Sequence, residues 1–411
     1  MSVPKKSVKE ITFYYECHRA MASGVLESAY STFIILIAVR LYAADGASKS
    51  ILAAGNAMGL LTGMFLVYLA ARLKWTASRG AAVTYCAGGA GFLVAALFGA
   101  LPFFVLGSVV GVMCHSMVVP MLTQIFQENY PDRERGKMFT RTLIYRIAAT
   151  VVFSYAAGEL LTGRYQYVPV LMAIYAAAQF YSGWCVKQCP SSVIRASDFP
   201  LFSGIEIIQR DRRFRMALMT WMLMGFGNLM MVALRVEYLA NPAHGLALSA
   251  SIIALLTGVI PNVARLLMTR WWGKLFDRMN FFTLRIILNL GFALATITFF
   301  TGESFWALVV GAVIFGVSTA GGEVAWSLWV TKFAPTPHRV AEYMAVHTFL
   351  TGVRGLLAPF TAFSLLATLP VSYIALIACG LILVSIVLLW PERGLEEARA
   401  HAQPLTEEVL D

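Results

Sequence analysis

Eight side chains interrupt otherwise apolar stretches of this sequence: Glu27, His115, Arg146, Asn228, Asn262, Glu323, His347 and Arg354. An ionisable group surrounded by hydrocarbon is costly, so it faces protein or a water-filled cavity and is a functional candidate by default. Glu323, in STAGGEVAWSLW, follows two glycines that let a helix bend or another backbone approach. Its carboxyl is protonated when desolvated and ionised when hydrated or beside an arginine, which lets it report the side a cavity faces. Glu27 has the same chemistry, with an expected position nearer the cytoplasm. Arg354, flanked by Gly352 and Gly355, keeps its proton and needs a permanent acceptor or an anionic solute. Arg146 is its rough counterpart in the first half of the chain. Set against Glu27 and Glu323, these two arginines make either two structural bridges or a site for a carboxylate or phosphate. Arg265 and Arg270 fall near the inner end of their apolar block, where snorkelling suffices. His115 titrates near neutral pH and suits proton coupling, although a lone helical histidine beside Cys114 also packs well.

Other chemistries find less support. Cys114 and His115 are adjacent, so on a helix they diverge by about 100° and cannot share a metal without further ligands. Cys185 and Cys189 converge at i, i+4 but supply two ligands only, and no metal or other cofactor is expected. Neither a nucleophile with its base nor a G-x-x-x-x-G-K-[ST] phosphate loop is present, which argues against an enzyme and against ATP-driven transport by this chain alone.

The elements that must position these groups are membrane helices. A chain of 411 residues that is 59% hydrophobic and 13% charged, with mean hydropathy +0.70, belongs in a bilayer. Twelve apolar blocks lie near 20–44, 50–71, 80–101, 103–127, 139–162, 166–186, 216–240, 248–271, 281–301, 305–331, 342–367 and 370–390. Each matches the roughly 20 helical residues that cross a core of about 30 Å. The apolar run from Ala20 carries Glu27 and is too long and too polar for a cleaved signal peptide. The six cysteines fall in or beside these blocks, and no disulfide framework is expected.

The net charge of +10 does not point to nucleic acid, because the basic residues recur between blocks instead of gathering on one face. The N-terminus, the even-numbered connections and the C-terminal tail hold 25 of the 32 Lys and Arg; the opposite side holds Arg40, Lys49, Arg164 and Arg235. That bias places both termini in the cytoplasm of a bacterial inner membrane. Tyr14, Tyr15, Trp271, Trp272 and Trp390 read as interfacial anchors, while Trp326 and Trp329 either line the inner cavity or pack.

The expected organisation is an all-α membrane protein with a six-helix bundle at 1–186, a cytoplasmic linker at 187–215, a second bundle at 216–390 and a tail at 391–411. Within the linker, Ile205, Ile207 and Ile208 opposite Arg210, Arg212 and Arg213 suggest a short amphipathic helix. Pro131 and Arg135 recur as Pro335 and Arg339, Gly107 as Gly311, and Lys74 as Arg278, all displaced by 204 residues. A shared offset in two six-span halves suggests parallel repeats with a substrate between them.

This layout resembles the major facilitator superfamily. The connection GKLFDRMNFFTLR is similar to that family's G-x-x-x-D-R-x-G-R/K signature, with Gly273, Asp277 and Arg278 in register and Asn280 in place of the second glycine. The corresponding first-half connection carries Leu69 and Leu73 instead. PxxxR at Pro131–Arg135 and Pro335–Arg339 also resembles the family's cytoplasmic connections, whereas AATVVFSYAAGELL lacks the proline-rich signature of its antiporters. The resemblance implies a cavity lined by spans 1, 4, 7 and 10, with a cytoplasmic latch at Gly273, Asp277, Arg278, Arg135 and Arg339. It implies a monomeric secondary transporter working by alternating access, whose partners are a small solute, the bilayer and protons coupled through Glu323 or Glu27. A facilitative carrier with purely structural charges and a non-transporting sensor remain the alternatives.

Overall fold

A computed structural model describes residues 7–194, 208–244, 246–302, 304–333 and 340–402. Ile205, Ile207, Pro335 and Arg339 lie outside the described residues. Regular structure is helical throughout them: α1 (Val8–Arg40), α2 (Gly46–Arg72), α3 (Ala77–Leu97), α4 (Leu101–Asn129), α5 (Asp132–Leu161) and α6 (Val168–Lys187), followed by α7 (Arg212–Ala240), α8 (Ala250–Arg278), α9 (Phe281–Thr301), α10 (Phe305–Leu328), α11 (Val340–Leu366) and α12 (Val371–Ala402). Eleven of these are long and apolar enough to cross a membrane, which makes this a multi-pass membrane protein. The remaining one, α6, is 20 residues long, and Gln179, Tyr181, Ser182 and Trp184 in its second half lower its mean hydropathy.

Most helix starts are set by a polar residue placed just before an apolar block, where its side chain accepts a first-turn N–H. Asp45 accepts from Ser48 at 3.0 Å, Thr76 from Arg79 at 3.2 Å and Asp211 from Phe214 at 2.9 Å. Asn280 accepts from Phe282 at 2.8 Å and Thr283 at 3.2 Å, which explains an asparagine where the family signature has glycine. The first helix begins at Val8, well before residue 20, because Ser7 and Glu10 form a capping box that starts it in the polar segment. Two helices hold a π turn, α1 at Ala29–Phe33 and α8 at Leu255–Val259. Near its middle α4 breaks at Val118, just before Pro120, whose ring cannot follow an unbroken helix.

α1 to α6 and α7 to α12 form two bundles that meet along α2 against α11 and α5 against α8. At the end away from the chain termini, here the distal end, one apolar core draws on both bundles, with Phe33, Leu36 and Leu161 beside Leu234, Leu239 and Ile253. At the terminal end each bundle builds its own core: Leu66, Tyr85, Met121 and Ile125 in the first, Phe214, Trp221, Phe282 and Trp329 in the second. The segment after α6 packs on the first of these. Cys189 and Ile194 are buried in it, Ile194 N donates to the Trp75 carbonyl at 3.0 Å, and Ser78 Oγ donates to the Cys189 carbonyl. Gly107 sits against Gly91 and Ala95, and Gly311 against Phe299.

Candidate functional site

The crossing of α1 and α5 creates the site's first half. Gly24 lies directly on the Arg146 carbonyl, with Ala149 Cβ only 2.7 Å from where a side chain would begin. That close approach sets Glu27, one turn further along α1, beside the Arg146 side chain, and Arg146 Nε is 3.1 Å from Glu27 Oε2. In the second bundle α8 and α10 pack side by side, and Arg265 grips Glu323 with two bonds, Nε to Oε2 at 2.8 Å and Nη2 to Oε1 at 2.9 Å.

These pairs join across the bundle interface. Arg265 Nη1 donates to Glu27 Oε1 at 2.6 Å, and Arg146 Nη2 donates to Glu323 Oε1 at 2.8 Å. The result is a ring of two carboxylates and two guanidiniums in alternation, with no net formal charge when all four are ionised. Arg265 and Glu27 are the buried members, at 8% and 11% side-chain exposure; Arg146 and Glu323 reach 32% and 26%. Asn262 supports the ring by accepting from Arg265 at 3.0 Å and donating to the Gly258 carbonyl at 2.7 Å. On the distal side, Thr32 and Thr257 hydroxyls meet at 2.8 Å between the two π turns.

Several expectations are corrected here. Arg265 does not snorkel: it faces inward and carries the pairing assigned to Arg354. Arg354 meets neither acid, because its guanidinium reaches toward α7 and donates to the Trp221 carbonyl at 2.6 Å. Glu27 is not at a different depth from Glu323, since both bond the same guanidinium. Gly273 brings no helix close, for nothing lies within 4 Å of where its side chain would be. Asp277 and Arg278 are exposed at the end of α8, and Arg135 donates to the Tyr130 carbonyl at 3.4 Å.

The remaining candidates stand apart from the ring. His115 lies between Tyr30 and Tyr85, with ring centroids at 6.3 and 6.1 Å. Asn228 and Arg235 line a small internal cavity with Thr296, Phe299 and Phe315. His347 is fully buried among Trp221, Trp326 and Trp329.

Two buried groups escaped the sequence reading. Glu16 and Arg19 form a bidentate pair at 2.6 Å, with Arg19 also donating to Tyr85 at 3.0 Å; the i, i+3 spacing was the available signal. Arg285, counted with the connection before α9, is 1% exposed. A distal closure also joins the bundles, through Lys49 to Glu237 at 2.9 Å and Arg40 to the Leu248 carbonyl at 2.9 Å.

No protein-family model and no curated protein sequence matches the chain. Solved structures do. A nucleoside transporter, NupG, aligns at TM-score 0.73 and 13% identity over 94% of this chain and 99% of its own. A POT family transporter in complex with a thioalcohol-conjugated peptide aligns at 0.69 and 13% over 93% and 96%. The inward open xylose transporter XylE from E. coli aligns at 0.66 and 13% over 92% and 94%. The all-helical architecture and these full-length alignments agree: the chain shares the fold of these membrane transporters.

Proposed function

We propose that the chain is a secondary transporter of a small polar solute that works by alternating access, coupled to protons through Glu323 with Glu27 as its counterpart. In this reading twelve spans, α6 included, form two pseudo-repeated bundles, 1–186 and 216–390, joined by the linker 187–215 and followed by the tail 391–411. Both termini lie in the cytoplasm of a bacterial inner membrane, so the terminal end is the cytoplasmic one. With the distal end sealed by a core shared between bundles and the terminal cores separate, the conformation is open toward the cytoplasm. Asp277, Arg278 and Arg135 belong to the face that closes when the bundles rock the other way. The relatives in fold, whose names specify nucleosides, xylose and a peptide, favour a solute of that size and polarity.

The observation that carries this reading is the charge ring. Each bundle supplies one carboxylate and one arginine and already holds a pair of its own, Glu27 with Arg146 and Glu323 with Arg265. Breaking a buried pair by removing one partner costs about 3–5 kcal/mol. Here the bundles can part by trading partners, and no charge is stranded. A proton on Glu323 weakens its hold on Arg146 and Arg265 together, so protonation loosens the link between bundles. Glu323 is the more exposed of the two carboxylates and the one water reaches first.

The test is proton movement into proteoliposomes carrying a pH-sensitive dye while nucleosides, sugars and short peptides are added outside. The expected result is a solute that drives protons with the wild type, while Glu323→Gln still exchanges solute but moves no protons. Concentrative uptake unchanged in both Glu323→Gln and Glu27→Gln would remove the carboxylates from coupling. A facilitative carrier is the second reading, favoured by the neutrality of the ring, and it predicts exchange that ignores the imposed gradient.

A further inference from the structure

The second bundle holds another cluster, and it contains no acid. Arg285, one turn into α9, is 1% exposed, and neither Nη1 nor Nη2 has a hydrogen-bond partner. Its guanidinium lies 3.7 Å over the Trp221 ring. From α11, Arg354 enters the space left by the missing side chain of Gly225 and donates Nη1 to the Trp221 carbonyl, while its Nε is unbonded. His347 is fully buried, with its ring 5.1 Å from that of Trp221 and both ring nitrogens unbonded. Among the described residues no carboxylate pairs with Arg285 or Arg354.

That is an unusual way to bury charge. A guanidinium stacked on an indole gains about 0.5–2 kcal/mol, short of the several kcal/mol per ion that desolvation costs. Two like charges at one tryptophan add repulsion in a low dielectric. The ring of Glu27, Arg146, Arg265 and Glu323 pairs every charge within 3.1 Å; this cluster leaves donors aimed at nothing.

We infer that Arg285, Arg354 and His347 form an anion site for a carboxylate or phosphate group, with Trp221 as its aromatic wall. The two arginines supply charge-assisted N–H donors suited to a planar carboxylate or a phosphate. Such a group can come from an organic anion in solution or from an acidic lipid headgroup. If it comes from solution, the inference deepens the transport reading by making the solute an anion. The site itself is read by binding and does not depend on transport.

The experiment titrates the full-length protein in neutral detergent with inorganic phosphate and with benzoate, against chloride at matched ionic strength. It follows tryptophan fluorescence, to which Trp221, Trp326 and Trp329 report locally, and melting temperature. In parallel, the protein is placed in nanodiscs of phosphatidylcholine alone or mixed with phosphatidylglycerol. A saturable response to phosphate or benzoate, weakened about tenfold or more in Arg354→Gln and lost in Arg285→Gln, supports a soluble anion. A response confined to the phosphatidylglycerol discs and lost in the same variants supports a headgroup. If Arg285→Gln does not fold, half-buried Arg354 carries the test, with Arg354→Lys expected to restore part of the binding. No saturable response in either arm, or equal responses from wild type and Arg354→Gln, overturns the inference.

Discussion

Arg265 uses all three guanidinium nitrogens: Nη1 on Glu27 and Asn262, Nε and Nη2 on Glu323. Arg265→Gln would leave two carboxylates facing each other with Arg146 alone between them. The expected loss is about 3–5 kcal/mol, read as a lower unfolding transition in detergent. Adding Glu323→Gln to that variant should cost less than the two single changes summed, because the second change removes a stranded charge; a double-mutant cycle measures the difference. The site's membership was only partly legible in the sequence for a related reason. Glu27, Arg146, Asn262 and Glu323 announce themselves as polar residues deep in apolar blocks. Distance from a block's end gives depth but not the direction a side chain faces, so Arg265 passed as a snorkelling residue and Arg354 as its replacement. The overlooked clue was spacing: Asn262 and Arg265 are i, i+3 and share a helix face.

Helix crossings and helix ends decide how those side chains meet. Because Gly24 rests on the α5 backbone, Gly24→Ala must push α1 and α5 apart. A cost of about 1–3 kcal/mol is expected, visible as a lower melting temperature together with weaker coupling between Glu27 and Arg146 in a double-mutant cycle on that pair. At the distal closure, His244 Nε2 stands 4.0 Å from Glu237, which Lys49 already pairs. Burial holds the His244 imidazole below its ordinary value of 6.5; Glu237 pulls it up and Lys49 pushes it down. A depressed value in the packed state means that closure is at full strength above the ordinary value and weakens as pH falls through the depressed one. Acid on the distal side should therefore favour opening, and His244→Gln should flatten that response; spin-label distances across the distal end, measured against pH, check both. The capped helix starts carry a sequence signal that apolar blocks alone miss, and the early start of α1 lies in Ser7 and Glu10. The π turn in α1 has no such signal, since nothing in AYSTF departs from ordinary helical sequence, whereas the one in α8 holds Gly258 and is followed by Pro261, which cannot supply a ladder N–H.

At the scale of the whole molecule, apolar blocks of about 20 residues pointed to an all-helical, multi-pass architecture, because bilayer thickness fixes the length of a span. They said nothing about which helices meet across the interface, since α2 against α11 and α5 against α8 are contacts between distant stretches of chain. If the bundles rock, the distal threonines must separate in every cycle. Thr32→Cys with Thr257→Cys should therefore form a disulfide under mild oxidation, stop transport and release it on reduction; transport that continues through the cross-link would rule out opening at this end. A π turn stores one residue more than the α turn it replaces, so in α1 and α8 it behaves like a dislocation in a crystal row. When such a defect glides by one turn, the residues it passes rotate by about 100° while both ends of the helix stay where they are. Glu27 stands two residues before one defect and Arg265 six residues after the other. Glide of the first by one turn toward the N-terminus, or of the second by two turns toward the C-terminus, would turn a charged side chain out of the ring by torsion alone, with no helix sliding through the bilayer.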